Sequence, residues 1–169
     1  TPKALHRIDP SRSANCPWCM LPDAHFMHLA WECRTVQAFW VDVIKVLRQI
    51  TGWDQTPDPR KCLLGDIRPK KGQKMRFKFT HLALVLAKRR VAITWMGVKG
   101  PDIDRWRRDV MEWAVAEELR LKKCRKDEKL ISDLTTWNGM IDVIIGKKNT
   151  GSMPEHSEED DNGDSDDST

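Results

Sequence analysis

Eighteen residues near the start of the chain, CPWCMLPDAHFMHLAWEC from Cys16 to Cys33, limit its folding choices more than any other stretch. They read as C-x2-C, eight residues, then H-x4-C. Cys16 and Cys19 stand where a tight turn can aim two thiolates at one point. His28 and Cys33 are separated by about one helical turn plus a little, so both can face that point. Two close pairs of soft or borderline ligands suit tetrahedral Zn2+. Three incidental thiols, or a disulfide between neighbours, are the plain alternative, but both spacings match structural zinc sites. Four protein ligands close the shell, which favours a structural over a catalytic ion. The same segment offers a second imidazole, His25. It would give H-x7-C, a less usual spacing, so the pattern selects His28 and leaves His25 as a polar loop residue or a donor behind the ligands.

Charge supplies the second constraint. Residues 151–169 hold eight acids and no Lys or Arg. Residues 1–150 therefore keep all 29 Lys+Arg against 17 of the 25 Asp+Glu, a net +12. A basic body with an acidic tail suggests a polyanionic partner, most simply nucleic acid. The odd count of five cysteines, three of them beside a spaced histidine, argues for metal over a disulfide framework. Reduced thiols imply a nuclear or cytoplasmic, reducing compartment. The opening TPKALHRIDP lacks the apolar core of a secretory leader, and the longest apolar run, LALVLA at 82–87, is too short to span a bilayer.

In chain order, residues 1–15 read as an irregular lead-in from which Leu5 and Ile8 could pack on the metal module. Residues 34–50 predict an amphipathic helix through Val36, Phe39, Trp40, Val43, Ile44, Leu47 and Ile50, stopped by Gly52. Cys33 directly precedes it, so the metal site is expected at that helix's N-terminal end. The stretch 53–72 is a connector in which only KCLLGDI at 61–67 could order, as a short turn or strand. Residues 74–96 predict a central helix through Phe77, Leu82, Leu84, Val85, Leu86, Val91, Ile93 and Trp95. GVKGP at 97–101 breaks it, and helices over 102–124 and 127–145 follow. The fold class is therefore mostly α: a small CCHC zinc knuckle, a bundle of about four helices and a disordered acidic tail. The domains divide at 1–33 for lead-in and knuckle, 34–148 for the basic helical domain and 149–169 for the tail.

Three basic clusters could neutralise phosphates: RPKKGQKMRFKF at 68–79, KRR at 88–90 and RLKKCRK at 120–126. The candidate contacts are Lys70, Lys71, Lys74, Arg76, Lys78, Lys88, Arg89 and Arg90. For any single cluster a solvated helix face is the commoner explanation; three clusters on so basic a body shift the balance. Trp18, between the first two ligands, can stack on a base or pack against the fold, and Trp31 reads as packing. Cys62, Cys124, His6 and His81 find no ligand partners in sequence, and His81 reads as a core or boundary residue. Phosphate-binding loops, dinucleotide fingerprints, H-E-x-x-H and G-x-S-x-G are all missing, so no catalytic residue is assigned.

The run LHRIDPSRSANCPWCMLPDAHFMHLAWECRTVQAFWVDV resembles the zinc-binding segment beyond the polymerase core of LINE-type (non-LTR) retrotransposon reverse transcriptases. The matching positions are Cys16, Cys19, Asp23, His28, Leu29, Trp31, Cys33, Phe39 and Trp40. AKRRVAITWMG and PDIDRWRRDVMEWAVAEE also look like that family's C-terminal helices, so the likeness covers roughly residues 1–145. It implies a nucleic-acid-binding accessory domain that helps a polymerase engage template RNA or target DNA, and it supports His28 as ligand. The paired aspartates of a polymerase palm and the endonuclease are absent, so neither activity carries over. The acidic tail is no part of the family pattern. The expectation is a non-enzymatic, zinc-stabilised module that binds RNA or DNA, with a polymerase or other protein as a possible partner and neither a membrane nor a small-molecule substrate. The rival is a zinc-stapled protein-interaction module whose Trp-rich helices dock a partner.

Overall fold

Helix α2, Arg34–Thr51, turns one continuous apolar stripe inward: Val36, Phe39, Trp40, Val43, Ile44, Leu47 and Ile50 are all buried, joined by Val46. This is the spacing of three and four that a helix needs to bury one side. The computed structural model describes residues 1–51, 56–68, 71–124 and 129–146. Among them are α1 (Pro2–Ile8), α2, α3 (Lys74–Thr94), α4 (Ile103–Cys124) and α5 (Leu130–Ile144), with π-helical turns at His28–Glu32 and Arg60–Leu64. The fold is all-α, with no strand among the described residues. Helix α3 is central, touching α2, α4, α5 and both π turns. Lys70, Gly52 and the acidic tail lie outside the described residues.

Two expectations change. The lead-in is not irregular over Pro2–Ile8: Thr1 caps a short helix by accepting from the Ala4 N–H at 3.3 Å, and Pro2 occupies the first turn, where its missing N–H costs nothing. Leu5 lines a cleft beside Cys16, whereas Ile8 is exposed. Of the two forms expected for 61–67 the chain takes the turn: a π turn over Arg60–Leu64, ended by Gly65 in the left-handed region at φ 73°.

The second change concerns α3. Its buried face is Phe79, Thr80, Ala83, Leu84, Ala87, Arg90 and Val91, while Val85 and Ile93 face solvent. Leu84 and Val91 lie on the packing side as expected; Ala83 and Ala87 complete it, because they let neighbouring backbones and indoles come close. Trp106 of α4 is fully buried and donates its indole N–H to the Ala83 carbonyl at 2.9 Å. Trp137 of α5, equally buried, donates to the Ala114 carbonyl of α4 at 3.1 Å. Trp40 of α2 repeats the device on Ala30 of the first π turn at 3.0 Å. A buried indole N–H without an acceptor would be costly, so each bond fixes a helix-to-helix register as well as filling space.

Two sunken carboxylates lock α3 to α4. Asp109 takes both the Nε and a terminal nitrogen of Arg90. Glu117 is held by Lys78 of α3 and by Arg120 at 2.7 and 2.6 Å. The Arg120 hydrogen bonds lead in pulling the Glu117 carboxyl down to about 2 from an ordinary 4.5; Lys78 adds to this while burial opposes it. A depressed folded-state pKa contributes stability that is fully present above the unfolded value and is lost as pH falls toward the folded one. The stability difference between wild type and Glu117→Gln is therefore expected to shrink as pH is lowered from 4.5 toward 2, read as urea midpoints at each pH. A pH-independent difference would contradict this role.

Candidate metal centre

Five residues turn roughly 500° around an α-helix, which would leave His28 and Cys33 about 140° apart. The chain avoids this by forming a π turn. The Cys33 N–H bonds the His28 carbonyl at 2.8 Å, the i→i+5 closure that widens the turn and returns the two side chains to one side. Cys33 then adopts an extended backbone (φ −61°, ψ 129°), and its carbonyl accepts from the Gln37 N–H at 2.8 Å to start α2. The second ligand pair is thus built into the junction between a π turn and the longest apolar stripe of the fold.

The first pair comes from a tight loop. The Cys16 N–H donates to the Leu21 carbonyl at 2.8 Å, and the Met20 N–H donates to the Cys16 carbonyl at 3.0 Å. Met20 and Asp23 take positive φ of 61° and 54°, the conformations that let six residues reverse direction around Cys19. The loop is closed by the Ala24 N–H on the Ala14 carbonyl at 3.0 Å, and α1 docks on it through the Lys3 N–H and the Ala24 carbonyl at 3.3 Å.

One ligand atom from each of Cys16, Cys19, His28 and Cys33 lies within 4.8 Å of the other three. The Cys16 and Cys33 sulfurs are 3.8 Å apart, and Cys19 Sγ is 3.2 Å from His28 Nε2. A tetrahedral ion with metal–sulfur bonds of about 2.3 Å holds two sulfurs about 3.8 Å apart, whereas a disulfide needs about 2.05 Å. All the cysteines among these ligands are free thiols. Cys16, His28 and Cys33 are buried and Cys19 is half-buried. Burial pushes the Cys16 thiol up to about 11. Burial acts upward on Cys19 too, but the Leu21 N–H, the Cys16 and Cys33 side chains and the Arg34 charge together bring it below its ordinary value. The residues can hold one metal ion in a closed four-ligand shell.

His25 stays out of that shell. Its Nδ1 accepts the His28 N–H at 3.3 Å, capping the π turn, and its Nε2 is 3.5 Å from Glu32 on the surface. Trp18 is half-buried and donates its indole N–H to the Gly97 carbonyl at 3.1 Å. Trp31 packs on Trp40 with ring centroids 5.9 Å apart. The loop carrying Gly97 is pressed against α2: a Cβ on Gly100 would come within 2.5 Å of the Thr35 methyl. GVKGP was legible only as a helix breaker; its two glycines also brace the metal module against the α3–α4 end of the bundle.

The basic candidates separate into kinds. Lys71 is exposed in the turn before α3, and Lys74 and Arg76 are exposed in its first turn. Lys78 holds Glu117, and half-buried Lys88 donates to the Leu63 carbonyl at 3.1 Å. Arg89 is exposed, 3.9 Å from Asp109. Arg90 is buried in its pair with Asp109, so it belongs to the α3–α4 interface and not to a phosphate-facing surface. Cys62 is fully buried, which raises its thiol to about 11, and Cys124 is exposed; neither joins the cluster. His81 is exposed beside Phe77, not in the core. Asp109 and Glu117 escaped the sequence reading, although helical spacing sets them beside Trp106, Val110 and Leu121.

No family model matches this chain, and neither the curated proteins nor the solved structures contain a match. The reading of the site therefore rests on its own chemistry.

Met20 holds a left-handed backbone without being glycine, and its side chain is 65% exposed. The conformation costs an L-residue about 1–2 kcal/mol, part of which glycine gives back as unfolded-state entropy. Met20→Gly is expected to stabilise the metal-loaded protein by about 0.5–1 kcal/mol in urea titrations; a loss of stability would show that the Met20 side chain matters more than its backbone.

Proposed function

We propose that this chain is a non-catalytic nucleic-acid-binding module held together by one structural Zn2+ on Cys16, Cys19, His28 and Cys33. The observation that carries the metal is the sulfur spacing of 3.8 Å inside a cluster buried at three of its four residues. Three thiolates and a neutral imidazole around a divalent ion leave one net negative charge. The N-terminus of α2 and the neighbouring Arg34 both favour that charge. The donor set is soft, which suits Zn2+ over the hard cations. With four protein ligands the ion has no open position for a water, so its role is to staple the loop to α2.

The nucleic-acid part is supported by the net +12 of residues 1–150 and by exposed cations on α3. The likeness of the metal segment and later helices to the C-terminal part of LINE-type reverse transcriptases points the same way, and makes a polymerase a candidate partner. Among the described residues no helix is long and apolar enough to cross a membrane.

One observation favours the rival protein-interaction reading. A groove of about 360 Å3 runs between the first π turn and α3, lined by Phe26, Leu29, Leu63, Val91 and Trp95. Phe26 is 67% exposed there. Trp40, Trp106 and Trp137 are fully buried, so the apolar surface offered to a partner comes from half-buried residues such as Trp95.

Metal analysis of the purified protein is expected to give one zinc per chain, lost in Cys33→Ser and His28→Ala and kept in His25→Ala. Retention in His28→Ala would overturn the ligand set. Binding to single-stranded RNA is expected to weaken steeply with salt; six phosphate contacts would give a log–log slope of about −4. A flat salt response would remove the nucleic-acid reading and leave the apolar groove as the better guide.

A further inference from the structure

The seam between α3 and α4 sorts its charges by depth. The carboxylates of Asp109 and Glu117 are only 11% and 8% exposed. The cations clamped over them stand outward: Lys78 is 43%, Arg89 59% and Arg120 51% exposed. Each acid is thus roofed by positive charge, and solvent meets the cation. Helical geometry extends the row. Arg105 lies one turn before Asp109 on the same stripe of α4, is exposed, and makes no ion pair among the described residues. From Arg105 to Arg120 the row runs about 22 Å along the helix at 1.5 Å per residue. Glu112, midway on the same side, is the exposed carboxylate that interrupts it.

We infer that the α3–α4 seam, through Lys78, Arg89, Arg105 and Arg120, is the track on which this protein holds the phosphodiester backbone of a nucleic-acid strand. The assignment rests on the nucleic-acid reading above and names its surface. Lys78 and Arg89 are among the contacts expected from sequence and Arg120 opens the basic cluster at 120–126, but that expectation also counted Lys71, Lys74 and Arg76 and did not include Arg105. Two properties favour the seam over Lys71, Lys74 and Arg76. Glu117 already holds Lys78 and Arg120 in place, so little of their side-chain freedom is lost on binding. Several consecutive phosphates fit along the row, since backbone charges recur every few ångströms along a strand. Arg89 and Arg105 supply the outer charges, and truncating them strands no buried acid, because Asp109 keeps Arg90.

The test measures affinity for a fluorescent 15-nucleotide oligo(U), and for its DNA counterpart oligo(dT), over a salt series. The full chain is compared with Arg89→Ala/Arg105→Ala, with Glu112→Gln, and with Lys71→Ala/Lys74→Ala/Arg76→Ala. Zinc content and melting temperature are checked first. The seam double variant is expected to bind roughly tenfold more weakly, with a salt slope shallower by about 1.4. Glu112→Gln is expected to bind more tightly, and the 71–76 triple variant to change less than the double variant. An oligonucleotide bound by wild type but equally well by the double variant and by Glu112→Gln overturns the track while leaving the nucleic-acid reading intact. So does a loss confined to the 71–76 variant. Wild type that binds neither strand overturns both.

Discussion

Three thiols and an imidazole, gathered within 4.8 Å and mostly out of solvent, set the terms for the first third of this protein. Without a cation such a cluster has little reason to form, since burial opposes the thiolate of Cys16 and sulfur–sulfur contact gains little. With one, each surrounding oddity has a cause. The π turn returns His28 and Cys33 to one side, Met20 and Asp23 bend the loop, His25 caps the turn, and α2 begins where Cys33 ends. Metal binding and local folding are one event in such a design.

Away from the metal, the bundle is registered by polar contacts inside an apolar core. Buried indoles on α2, α4 and α5 each donate to an alanine carbonyl on another element. Between α3 and α4 the same job falls to Arg90 with Asp109 and to Lys78 with Glu117. Apolar burial supplies most of the driving force but little directionality. These bonds choose one sliding position among several that would bury similar area. Alanine is the partner each time because only a small side chain admits an indole to the backbone.

Sequence showed the outline and hid the details for physical reasons. The four long helices and the inward stripe of α2 follow from periodicity, which is clearest in α2 because that helix buries one side only. The helix α3 touches neighbours on several sides, so Leu84 and Val91 are buried as periodicity suggested, Val85 and Ile93 are not, and Ala83 and Ala87 carry packing that periodicity did not single out. The four ligands were visible from spacing, but the π turn was not. The phase conflict of H-x4-C on a regular helix was the available clue. Arg90 and Lys78 looked like surface charge because their partners, Asp109 and Glu117, are 19 and 39 residues away. Such pairs exist only after the helices have met.

The brace between Trp18 and Gly97, with Gly100 flush against Thr35, has an architectural consequence. Turns between antiparallel helices are ordinarily where a chain accepts added or deleted residues most cheaply. Here the α3–α4 turn is a strut wedged between the metal module and the first turn of α2. Its length is a tolerance, like that of a spacer in a frame, and the chain has little freedom to vary it. A bulkier residue at Gly100 would push this turn off Thr35 and disturb the Trp18 bond to Gly97, so a position distant in sequence from every ligand helps govern how squarely the metal module sits on the fold.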